Sequence, residues 1–138
     1  MADQLPARPS LPHAAPFLML DRTVEVSADR GVFLKMITAG DPLVAADGTM
    51  PAVFVLEAMA QAGGAVLGSA VGGPRAAGML AKVDAFRMHH SVRVGDELRV
   101  EVRLLRYTRG VSIFDTRASV ESRLCAEARL SLALPQSS

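Results

Sequence analysis

Disulfide cross-links within the chain are excluded at once, because the 138-residue chain has a single cysteine, Cys125. A lone thiol fits a reducing compartment, so a cytoplasmic location is expected. Tryptophan is absent, tyrosine occurs once, and aromatics make up only 4% of the residues. The core must therefore be aliphatic, and at 50% hydrophobic residues the chain can bury one real core as a single domain. Neither sign of charge dominates: 15 Lys and Arg are interleaved with 14 Asp and Glu, for a net charge of +1. Without a basic stripe or tail, nucleic-acid binding has no electrostatic support. The N-terminus lacks the basic start and apolar run of a secretory signal. Repeats and low-complexity segments are missing as well. Histidine is scarce, at three residues. His13, the adjacent His89 and His90, and Cys125 have no ligand-like spacing, so no bound metal is expected.

What the chain does have is one long apolar stretch, Met50–Gly72, which holds a single acid, Glu57, and a single amide, Gln61. Pro51 suits the first turn of a helix, where its missing N–H costs nothing, and Thr49 can cap that turn. Apolar residues then lie on every side, the pattern of a helix covered all round. Glu57 and Gln61 are four apart and stack on one face, which Gly64 and Gly68 extend as a bare strip open to another backbone. A mid-helix Glu and Gln and four glycines argue against a membrane span. A carboxylate with apolar turns on both sides is costly unless it has a partner or a task, which marks Glu57 as a functional residue.

The rest of the chain is arranged around that helix. Residues 1–10 read as a loose tail. A proline-bracketed turn, Leu11–Phe17, follows and holds His13, a candidate base or simply a polar turn residue. The run from Phe17 to Val26, a turn at Ala28–Gly31 and a strand over Val32–Thr38 form a hairpin. Ala39–Gly48 is a loop, and Gly72-Gly73-Pro74 breaks the chain after the helix. Strands are predicted over Met79–Met88, Leu98–Tyr107, Val111–Val120 and Leu124–Leu134, with turns at Val94–Asp96, Thr108–Gly110 and Glu121–Arg123. Residues 135–138 are a short tail. Period-two alternation in these strands gives an antiparallel sheet with one packed face and one wet face. A strongly twisted sheet curled around the helix solves the burial problem, an α+β architecture over residues 11–134. The unpaired sheet edges and the glycine strip lead us to expect a homodimer or a higher homo-oligomer.

These residues resemble a known family. Leu11-Pro12-His13-x-x-Pro16-Phe17-Leu18-x-x-Asp21-Arg22 is similar to the opening motif of the β-hydroxyacyl-acyl-carrier-protein dehydratases, which have the hotdog fold. Met50-Pro51-x-Val53-x-x-x-Glu57-Ala58-Met59-Ala60-Gln61 resembles their helix motif. Lys82-Val83-Asp84 through Arg87, and Val94-Gly95-Asp96, resemble their returning strands. The resemblance implies a curved antiparallel sheet wrapped around one long central helix. It also implies an acyl tunnel at a subunit boundary, where the helix carboxylate of one subunit works with a histidine of the other. The substrate would come as a thioester of acyl carrier protein or coenzyme A, on a phosphopantetheine arm and with no resident cofactor. In one respect the chain departs from the pattern. The family's catalytic histidine stands in a Gly-His-Phe-Pro loop ahead of the helix, where this chain, counted back from Glu57 without gaps, has Pro42-Leu43-Val44-Ala45.

Dehydrating a 3-hydroxyacyl thioester takes a base for the α-proton and an acid for the departing hydroxyl. The resemblance gives the acid to Glu57, whose surroundings should raise its pKa; with the loop histidine missing, His13 is the candidate replacement for the base. Backbone amides near Ala52 and Val53 would polarise the thioester carbonyl, with Gln61 orienting the carboxyl and Phe17 beside the substrate. His89 and His90 read as surface residues. Two other readings compete: a hotdog thioesterase with Glu57 as base or nucleophile, and a non-catalytic acyl-binding or partner subunit. The missing loop histidine favours those two, and the helix and strand motifs favour the dehydratase.

Overall fold

The computed structural model describes residues 18–71 and 79–133. The expected tails, the turn with His13 and Phe17 and the break at 72–74 lie outside the described residues. Along the chain come β1 (Arg22–Val26), β2 (Arg30–Met36), α1 (Ala52–Val71), β3 (Met79–Met88), β4 (Glu97–Thr108), β5 (Val111–Val120) and β6 (Arg123–Ala133). All six strands form one sheet in the order β1-β2-β4-β5-β6-β3, and every neighbouring pair is antiparallel.

Alternation sets the inner face. Leu98, Val100 and Val102 of β4, Phe114 and Ala118 of β5, and Ala126, Leu130 and Leu132 of β6 are buried, and they meet Val55, Met59, Ala62 and Val66 of α1 in one core. At Gly63 the helix comes close enough that a Cβ there would stand 3.0 Å from Leu132 Cδ1 and 3.4 Å from Phe114 Cδ2. The helix touches β2, β4, β5, β6 and β3. Those five strands span about 19 Å at ordinary strand spacing, while a helix is only about 10 Å across, so the sheet must curl around it. This is the hotdog architecture.

Cover is nevertheless incomplete, contrary to the all-round burial expected for the helix. Ala52 and Val53 are exposed, Val53 to 63%, and Phe54, Leu56 and Glu57 are half-buried. Gly64 and Gly68 are buried, so the expected bare strip is covered within this chain. The opening lies instead at the helix's first two turns, next to the edge strand β3.

That edge is not flat. Ala85 adopts a left-handed backbone (φ 53) where the β3–β6 register slips between Asp84 and Arg87. Such a bulge interrupts the ladder that a free edge offers to other chains.

The β5–β6 hairpin turns through Glu121 (φ 49) and Ser122 (φ 68), a two-residue loop with both backbones left-handed and no glycine. Asn-Gly is the pair suited to such a turn. Replacing Glu121→Asn together with Ser122→Gly is expected to raise stability by about 1 kcal/mol in denaturant unfolding. A loss of stability would contradict the strain assigned to these two residues.

Candidate active site

The start of α1 is fastened to the turn that precedes β4. Met50 N–H donates to the Val92 carbonyl (2.8 Å), Val94 N–H to the Gly48 carbonyl (2.9 Å), and Thr49 bridges Arg93. The loop behind it is tied as well. Ile37 N–H donates to Asp96 O, and Gly95 N–H returns a bond to Ile37 O. Thr49 N–H donates to Asp47, and this hydrogen bond holds the Asp47 carboxyl below its usual range.

Deeper in the same loop, Lys35 reaches from the inner face of β2 to Asp41 at 3.3 Å. Only 11% of the Lys35 side chain and 9% of the Asp41 side chain are exposed. The more exposed Asp21 stands 3.9 Å away. Alternation alone would have put an apolar residue opposite buried Leu98, the register partner of Lys35.

Pro51 sits one place earlier than expected. Its carbonyl accepts from Phe54 N–H (2.9 Å) and Val55 N–H (3.2 Å), which makes it the N-cap rather than a first-turn residue. Thr49, expected as the cap, is drawn off into the bridge with Arg93. The N–H groups of Ala52 and Val53 have no hydrogen-bond acceptor among the described residues, and the first turn of α1 has no acidic side chain. The positive end of the helix therefore faces the opening uncompensated.

Glu57 follows five residues on, about 7.5 Å along the axis, and helical side chains lean back toward the N-terminus. Glu57 is half-buried and, four residues after Val53, shares nearly the same face of the helix. Gln61, 2% exposed, accepts a 2.8 Å hydrogen bond from Met19 N–H on its Oε1. That oxygen is occupied in tying the N-terminal segment across the helix, a task the sequence did not disclose. His13 and Phe17, the remaining site residues expected from the sequence, lie outside the described residues.

One group of residues was missed. An open cavity of about 310 Å³ lies between residues 49–52 and 88–91, with Ala52 on one wall and His89 and His90 on the other. His89 Nε2 is 2.7 Å from Glu127 Oε2. The two histidines do lie on the surface, as expected, but beside the helix start. No motif marks this proximity, which the Thr49–Arg93 bridge creates between distant parts of the chain.

The arrangement is a helix end with unengaged donors, a half-buried carboxyl one turn on and a cavity alongside. A 3-hydroxyacyl-[acyl-carrier-protein] dehydratase FabZ from Chloroflexus aggregans is 39% identical over 132 residues, covering 90% of each chain. One from Campylobacter concisus is 32% identical over 141 residues, covering 94% of this chain and 95% of that one. Among solved structures, a chain of the dehydratase heterocomplex ApeI:P from Xenorhabdus doucetiae superposes with a TM-score of 0.85 at 26% identity, over 96% of this chain and 93% of that one. Zebra fish thioesterase superfamily member 2 superposes with a TM-score of 0.73 at 12% identity, over 90% of this chain and 88% of that one; this likeness extends to the fold alone. The family model described as ApeP-like, ApeP dehydratase, matches residues 5–138, and with the helix motif in place around Glu57 the chain belongs to the ApeP-like dehydratase family.

Proposed function

We propose that this dehydratase removes water from a 3-hydroxyacyl thioester carried on acyl carrier protein, leaving the trans-2-enoyl thioester, in fatty-acid or polyketide-like biosynthesis. The observation that carries the reading is the open helix start, with the half-buried Glu57 one turn further along the same helix. The N–H groups of Ala52 and Val53 hold the thioester oxygen as negative charge gathers on it. Glu57 gives its proton to the departing hydroxyl, which leaves as water.

The substrate arrives on its phosphopantetheine arm, and the reaction needs neither a metal nor a resident cofactor. No described helix is long and apolar enough to cross a membrane, and a cytoplasmic site of action suits carrier-bound substrates. The opening beside Val53 and Glu57 is closed by a second subunit. That subunit is another copy of this chain or, as in the heterocomplex it resembles, a different dehydratase chain. Its histidine, or His13 of this chain, takes the α-proton, because Pro42–Ala45 provides no base.

The test is incubation of the purified assembly with 3-hydroxyacyl thioesters of carrier protein and of coenzyme A. Mass spectrometry should record loss of one water, faster on the carrier. Release of free thiol with no enoyl product would replace the reading with thioester hydrolysis.

A further inference from the structure

We infer that His90 is a further catalytic residue, a hydrogen-bond donor to the thioester carbonyl alongside the amides of Ala52 and Val53. The inference deepens the dehydratase reading and rests on it.

Three observations carry it. The first is position: the cavity of about 310 Å³ that begins at Ala52 has His90 in its opposite wall, so a carbonyl oxygen seated on the helix amides lies in the space the histidine borders.

The second is availability. β3 ends at Met88, and of the two histidines that follow, His89 has its Nε2 engaged 2.7 Å from Glu127 Oε2. His90 is the next residue, and no described residue accepts or donates a hydrogen bond to its ring.

The third is fixation. The N–H groups of His89 (2.7 Å) and His90 (3.3 Å) both donate to the Cys125 carbonyl, so the backbone beneath the ring is held to β6. With His89 also tied to Glu127, the segment is anchored to β6 at a second point. A donor set in place before the reaction stabilises developing charge without reorganising.

In the reaction, the electrons of the breaking α C–H bond move onto the thioester oxygen as the base takes the proton. They return to form the Cα–Cβ double bond as the C–O bond breaks and Glu57 protonates the hydroxyl. His90 bonds the oxygen throughout and neither gains nor loses a proton. This separates it from a base.

The experiment compares His90→Ala, His90→Gln and wild type in the assembly that turns over, with His90→Ala also assayed in added imidazole. His90→Ala should lower kcat about a hundredfold, the scale for losing one such donor, with KM little changed. His90→Gln, which keeps an N–H donor but cannot act as a base, should recover much of that loss. Unchanged kcat in His90→Ala, with Glu57→Gln inactive, overturns the inference and leaves the dehydratase reading standing. A loss that imidazole restores and glutamine does not would make His90 a base and also overturn it. If wild type forms no enoyl product on any thioester, the underlying reading falls, and the inference with it.

Discussion

Glu57→Gln should reduce dehydratase turnover by about 10²–10⁴-fold, the usual contribution of a positioned acid or base. Glutamine matches glutamate in size and can still donate a hydrogen bond, but it has no acidic proton for a leaving hydroxyl. The carboxyl stands on a helix whose next turns, Ala58, Met59 and Ala62, are packed into the core, so its position is set by the fold. Because Glu57 itself is only half-buried, the change should alter stability by no more than about 1 kcal/mol. Steady-state rates and thermal unfolding on the same preparation check both halves. Normal turnover in a folded Glu57→Gln protein would remove Glu57 from the chemistry and leave the dehydratase without its acid.

A second large effect is expected far from that carboxyl. Asp41→Asn should destabilise the fold by about 3 kcal/mol. The asparagine oxygen can still accept from Leu43 N–H, as Asp41 Oδ1 does at 2.9 Å, so the substitution removes charge and little else. Lys35 is then left with its ammonium nearly enclosed and only the more distant, half-exposed Asp21 for company. An uncompensated buried charge is what makes breaking such a pair costly, whereas replacing both partners is often close to neutral. The double change Lys35→Met with Asp41→Asn should therefore recover most of the loss. Urea unfolding with an unchanged m-value would register a true stability difference. Equal stability of the single and double variants would mean that Lys35 escapes to solvent and the pair does little.

The strands were the most legible part of this chain. β3 and β5 begin and end at the residues expected, β2, β4 and β6 differ by one or two positions, and β1 occupies only the second half of the run expected from Phe17. Alternation and Gly-bearing turns are local signals, which is why they read well. The helix was legible as an element but not as an environment. Its composition suggested cover on all sides, yet Val53 stands open. Local rules also misplaced Thr49, whose tertiary bridge to Arg93 outcompetes capping, and gave no reason to bury Lys35, which is tolerable only because Asp41 folds back onto it. In the candidate site, Glu57 stood out by its isolation among apolar residues. The tie from Gln61 to Met19 and the proximity of His90 to Ala52 could not, since both join distant stretches with no shared motif.

The strand order has a consequence for how the chain emerges during synthesis. Within the sheet β3 pairs only with β6, and the helix packs against Phe114, Leu130 and Leu132 from the last two strands. On a ribosome, the most apolar segment is thus complete well before the surfaces that cover it exist. Contacts this distant along the chain slow folding and leave hydrophobic surface exposed in the interval. The nascent chain has to keep an uncovered greasy helix out of trouble until its final strand is released, so truncation within β6 should be punished more severely than the loss of an edge strand would ordinarily be.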